Sequence, residues 1–227
     1  MINKSTSAPL LFELEDFSAS YQNQIALNSI SLRITTGENV ALIGPSGGGK
    51  TTLLKSLFSQ QQEQSAVLYQ NLHLVHQLSV FHNVYAGKLD YNSTFRNLLN
   101  LIRPQKTELS EIDAILVDLQ LSEKASSSVG ELSGGQQQRV AMARCFYSGR
   151  PTLLADEPVS SVDPQQAEVL IQKMLDRFTT VVAAMHTVDL ALEYFTRVIG
   201  IRAGSIHFDI PASDIQPKHL EELFNAC

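Results

Sequence analysis

The string Gly44-Pro45-Ser46-Gly47-Gly48-Gly49-Lys50-Thr51 constrains the fold of this chain more than any other feature. It satisfies G-x-x-x-x-G-K-[ST]. It lies between Val40-Ala41-Leu42-Ile43, an apolar run of strand length, and a helical pattern over residues 51–58. A glycine-rich turn between a strand and a helix N-terminus lets successive backbone N–H groups approach an anion, and the helix dipole favours the negative charge. The pattern assigns Lys50 to the β- and γ-phosphates of a nucleoside triphosphate, Thr51 to Mg²⁺ and Thr52 to the α-phosphate. A short, wholly apolar strand of this kind is buried on both faces, which implies a parallel sheet.

The rest of the chain agrees with that architecture. Short apolar runs recur at residues 66–69, 152–155 and 180–184, and helical patterns fall between them. Leu109, Ile112, Leu116 and Leu119 share one face, and Ala167, Leu170, Ile171 and Met174 share another. Asp163-Pro164 is a helix start, an N-cap carboxylate followed by proline at the first position. Ahead of the glycine turn, Phe12 and Leu14 alternate with Glu13 and Glu15, and Ile30, Leu32 and Ile34 with Ser29, Ser31 and Arg33. These are half-buried, antiparallel strands, and Thr36-Gly37-Glu38 turns the chain after them. Residues 60–64, nearly all glutamine, read as a polar turn. From about residue 72 to 147 the strand pattern stops. The expected fold is therefore α/β: a parallel-sheet core with an N-terminal antiparallel β layer and a helical insertion, within one domain spanning residues 1–227.

Composition narrows the function. With 44% hydrophobic and 18% charged residues the chain is not intrinsically disordered. No apolar run approaches the roughly 18–20 residues that cross a bilayer, and the first residues lack a signal-peptide layout. A net charge of −6 argues against nucleic-acid binding through bulk charge. Cys145 and Cys227 share no metal or redox spacing, which suggests a reducing, cytosolic home.

Two further strings carry chemistry. Asp156-Glu157 ends an apolar strand, where a magnesium-ordering carboxylate belongs in a nucleotide hydrolase. In an extended chain adjacent side chains point to opposite sides, so one acid would serve the metal and the next the attacking water. Leu132-Ser133-Gly134-Gly135-Gln136 places a hydroxyl and two glycines just ahead of a helix through Arg139, Val140 and Ala143, a second anion site. Two copies facing each other would explain two phosphate cradles for one nucleotide.

With these motifs, followed by Ser160-Ser161-Val162-Asp163 and His186, the sequence resembles the ATP-binding subunit of ABC transporters from about residue 12 to 208. The resemblance implies a P-loop NTPase core of RecA-like type, ATP and Mg²⁺ as cofactors, and a transport-coupled ATPase. It implies that Tyr21 stacks on adenine, that residues 44–52 hold the phosphates, and that Asp156 with Thr51 and Gln70 serves the metal. Gln70 also contacts the attacking water and senses the membrane partner. Glu157 is then the general base or the carboxylate that positions the water, and His186 contacts the γ-phosphate. Ser133 and Gly135, within the signature 132–136, contact the γ-phosphate held by the other protomer, and Asp163 lies in the loop that touches that protomer's phosphate loop. The implied partners are a second copy or a related ATPase, integral membrane permease subunits and a substrate-binding protein, with the chain peripheral on the cytoplasmic face of the membrane and no nucleic acid.

Among branches, Gln70-Asn71-Leu72-His73-Leu74-Val75, Leu78-Ser79-Val80 and residues 186–192 look most like phosphonate-type import ATPases. Residues 71–84 are expected to form a groove for a membrane subunit's helix, with Leu78 and Phe81 as contacts. The competing readings are an exporter ATPase for lipid or peptide and a soluble ABC ATPase of repair or translation. An ordinary P-loop kinase or GTPase lacks the 132–136 string. One departure stands out: only 19 residues separate Lys50 from Gln70, where the family carries a longer stretch with extra strands of the β layer.

Overall fold

The computed structural model describes residues 8–21 and 24–225, with the side chains of Tyr21 and Gln24 outside the description. β1 (Leu10–Tyr21) and β2 (Gln24–Thr35) form an antiparallel hairpin that is a sheet of its own. Phe12, Leu14, Ile30, Leu32 and Ile34 turn inward as the alternation requires. On the outer face Arg33 reaches Glu13 at 2.6 Å and Glu15 at 2.9 Å.

The main sheet runs in the order β4-β5-β6-β3-β7-β8. Its members are β3 (Asn39–Ile43), β4 (Ser65–Leu68), β5 (Thr152–Asp156), β6 (Thr180–Ala184), β7 (Arg197–Arg202) and β8 (Ser205–Pro211). All neighbouring pairs are parallel except β7 with β8. β3 is central, and its alternation feeds two cores. Val40 and Leu42 pack with the hairpin and with Leu53, Leu54 and Leu57 of α1 (Lys50–Gln60). Ala41 and Ile43 join the cluster built on α5 (Gly134–Ser148) and α6 (Pro164–Arg177). α6 begins as expected: Asp163 accepts from Gln166 N at 3.1 Å and Pro164 follows.

Between β4 and β5 the described residues form α2 (Val80–Tyr85), α3 (Thr94–Ile102), α4 (Lys106–Asp118) and α5. α7 (Val188–Tyr194) and α8 (Pro217–Asn225) lie on either side of the β7–β8 hairpin in the chain. Three expectations need correction. Leu109 lies exposed while Ile112, Leu116 and Leu119 are buried, so the α4 stripe is narrower than its spacing suggests. Phe81 is only 6% exposed and stacks on Tyr85, so it is core rather than a docking contact. Gln60 and Gln61 are not merely turn residues. Glu13 N donates to Gln60 Oε1 at 3.2 Å, Gln60 Nε2 donates to Glu13 O at 2.7 Å, and Gln61 Nε2 donates to Leu11 O at 3.4 Å. These amides occupy the outward edge of β1, so the short connection to β4 leaves that edge covered by side chains.

Candidate nucleotide site

The glycine turn leaves the C-terminal end of β3. Gly44 has φ +144°, and a Cβ there would lie 1.9 Å from Ile201 O, so no side chain fits. The N-terminus of α1 has no side-chain cap, which leaves its first N–H groups available to an anion. Lys50 is buried and folds back over the turn, donating to Gly44 O at 2.7 Å and Pro45 O at 3.1 Å. Burial pushes its ammonium below the usual lysine range, against the opposing pull of Glu157 and Asp156.

Asp156 ends β5 beside the turn, and Thr51 Oγ1 donates to its Oδ2 at 2.8 Å. Burial pushes the Asp156 carboxyl up, while the Thr51 hydrogen bond works in the other direction. A hydroxyl oxygen and a carboxylate in contact are the hard donors that suit Mg²⁺. A cation there would offset the penalty that burial places on the carboxylate.

Glu157 departs from the extended geometry that the sequence implied. Its φ is +56°, the left-handed region, so it does not alternate with Asp156. Instead both carboxylates line one cleft of about 320 Å³ with Ser46, Gly47, Lys50, Thr51, Thr52 and Gln70. Glu157 N donates to Ala184 O at 3.1 Å and its carbonyl accepts from Gln138 Nε2 at 3.0 Å, which fixes the turned backbone. Across the cleft Glu157 Oε1 meets His186 Nε2 at 2.7 Å.

Two contributors were not anticipated. Ala26 of β2 also lines the cleft, and nothing local in the sequence marks it. Gln138 is buried and bridges Glu157 O to Ser161 N, the latter at 2.9 Å. Its signal was legible: a glutamine on the helical face shared by Ala141, Met142 and Cys145, all buried, needs a polar partner inside. Cys145 itself packs as a small apolar group, its thiol pushed up to about 11 by burial. The Tyr21 side chain and Cys227 lie outside the described residues.

The 132–136 string stands apart from this cleft. Ser133 caps α5: its Oγ accepts from Gln136 N at 3.3 Å, and Gln136 Oε1 accepts from Ser133 N at 2.9 Å. Ser133 and Gly134 are exposed, and none of residues 132–136 lines the phosphate cleft. Gly135 backs onto Ser161, where a Cβ would lie 3.2 Å from the Ser161 carbonyl. One chain therefore gathers the phosphate turn, Gln70, Asp156, Glu157 and His186 in one place, and the signature with residues 160–163 in another.

A phosphate-binding turn at the end of a central parallel strand, with a hydroxyl–carboxylate pair and a turned glutamate beside it, defines a P-loop nucleoside triphosphatase. The chain belongs to the ABC transporter family, whose model matches residues 27–160, and is an ATP-binding ATPase subunit of that family. It is 39% identical to the phosphonates import ATP-binding protein PhnC 1 of Pseudomonas syringae pv. tomato, over 88% of this chain and 86% of that one. It is 36% identical to the corresponding protein of Shouchella clausii, over 94% and 91%. The first alignment spans 229 positions, more than the residues of this chain it covers, so that relative carries residues this chain lacks. Among solved structures, a dimeric bacterial ABC transporter cassette matches with TM-score 0.76 at 24% identity, over 88% of this chain and 98% of that one. A dimeric post-hydrolysis cassette bound to ADP and Pi matches with TM-score 0.72 at 24% identity, over the same shares.

Proposed function

We propose that the chain drives import of a phosphonate-type solute, as one of two ATPase subunits docked on separate membrane subunits at the cytoplasmic face of the membrane. The observation that carries this reading is the division of the chemistry. The Glu157–His186 pair, 2.7 Å apart, shares a cleft with the Thr51–Asp156 pair, while the Ser133 helix tip points to solvent elsewhere. A complete site then needs two protomers, each lending its tip to the other's ATP. Residues 44–52 hold the phosphates, with Lys50 on the β- and γ-phosphates and Tyr21 against the adenine. Thr51, Asp156 and Gln70 would hold Mg²⁺, which supplies charge neutralisation at the β- and γ-oxygens. Glu157 orients the attacking water and takes its proton, and His186 holds Glu157 in place and contacts the γ-phosphate. Ser133 and Gly135 of the partner subunit stabilise the charge that develops on the transferred group. Loss of the γ-phosphate removes the bridge and lets the dimer open.

The cargo assignment is supported by the names of the relatives, import proteins for phosphonates. The membrane subunits are supported by the same names, those of import ATP-binding proteins. Residues 72–147 serve as a helical subdomain within the single domain, and a substrate-binding protein delivers the solute. Cells lacking this chain should lose growth on a phosphonate as sole phosphorus source, restored by the wild-type chain and not by Glu157→Gln. Undiminished growth would remove the cargo assignment, and purification from native membranes without any integral membrane protein would remove the transporter reading.

A further inference from the structure

α3 is packed inside out. Its polar residues face the protein: Asn100 is fully buried, donating to Tyr85 Oη at 3.2 Å and accepting from Gln105 N at 2.8 Å. Tyr85 Oη in turn donates to Asn97 at 3.0 Å, and Arg96 Nε donates to the buried Glu108 at 2.8 Å. The opposite arc is open and, apart from Thr94 at its start, apolar, with Phe95 71%, Leu98 55%, Leu101 52% and Ile102 78% exposed, and Leu99 beside them. A surface helix of a globular protein turns its apolar stripe inward. The reverse arrangement, anchored by a buried polar network, marks a face that something apolar covers.

Charge indicates what covers it. Between Asp90 and Glu108 the chain contains no acid and three cations; Arg96 is paired with Glu108, which leaves Arg103 and Lys106 as the free positive charges in a chain of net charge −6. Arg103 and Lys106 have no ion pair among the described residues. An apolar arc that includes an aromatic, Phe95, with cations just beyond its C-terminal end, is the pattern of a helix lying in a membrane interface. We propose that α3 rests on an anionic bilayer surface, with Phe95, Leu98 and Ile102 entering the acyl boundary and Arg103 and Lys106 on the headgroups. Few side chains enter, so the contact is weak and reversible. This goes beyond attachment through membrane subunits, because it places one element of this chain on the lipid itself.

The test is flotation of the purified full-length chain with vesicles of phosphatidylcholine, with and without phosphatidylglycerol, at low salt. The wild-type chain should float with the anionic vesicles, less with neutral ones, and be released by salt. Leu98→Asp with Ile102→Asp should weaken flotation by about tenfold or more. Arg103→Glu with Lys106→Glu should remove the preference for anionic lipid. ATP turnover in solution should be unchanged in both variants, which shows them folded. No flotation with anionic vesicles, or equal flotation by the variants, would overturn the proposal. So would association confined to vesicles that carry membrane subunits, or a nucleotide-free dimer abolished by the apolar variant, since each assigns the face to protein.

Discussion

Lys50 is held where its charge is unfavourable until phosphates arrive. Burial keeps its folded-state pKa below the ordinary lysine value, with Glu157 and Asp156 only partly opposing. Between those two values the unfolded chain binds more protons, so stability rises with pH across that window, and below it the full penalty remains. Lys50→Met should therefore melt no lower than wild type near neutral pH without nucleotide, its advantage narrowing as the pH climbs towards the lysine range. Mg·ATP should raise the melting temperature of wild type and leave the variant where it was. A variant that melts well below wild type, or still responds to ATP, contradicts this role. Lys50, Thr51 and Asp156 were legible because their positions follow from one turn and one strand end. The aim of Glu157 was not: strand alternation placed it opposite Asp156. Its left-handed backbone depends on Ala184 and Gln138, which are distant in sequence.

At the scale of elements, β1 pairs with β2 alone among the described strands, and Gln60 mimics a neighbouring strand on its outward edge. Its amide both donates to and accepts from the Glu13 backbone. Gln60→Ala should lower stability by about 1 kcal/mol, read as a denaturant midpoint shift at constant slope. It should also promote concentration-dependent association, since an unpaired edge recruits other strands. An unchanged midpoint and unchanged association would show the cap to be incidental. The same contrast explains what could be read from the sequence at this scale. The start of α6 was legible because Asp163 and Gln166 cap within three residues. The buried faces of β1 and β2 were legible from their period, and the burial of β3 on both faces from its unbroken apolar run. The edge cap was not, because it joins residues 47 apart. The orientation of α3 was not either, because periodicity reports an apolar arc without saying that Asn100 and Tyr85 hold the other arc inward.

At the scale of the molecule, one protomer carries a phosphate cradle and a helix tip that do not meet, and the shared-site reading makes a sharp demand on Ser133. Aspartate caps a helix as well as serine does, so Ser133→Asp should leave α5 and the nucleotide-free melting temperature as they are. It also sets a carboxylate against the γ-phosphate held by the partner, where the serine hydroxyl would donate. Turnover should fall by about a hundredfold or more, the scale of losing one donor to a developing oxyanion, while a single protomer keeps its affinity for ATP. Glu157→Gln supplies the complementary state: with the water-orienting carboxylate gone, saturating Mg·ATP should accumulate a dimer by small-angle scattering. Adding Ser133→Asp to that background should return the scattering to monomer. If Ser133→Asp hydrolyses ATP at the wild-type rate, or if Glu157→Gln stays monomeric with ATP bound, each chain completes its site alone. The exposed tip of α5 would then have no part in hydrolysis.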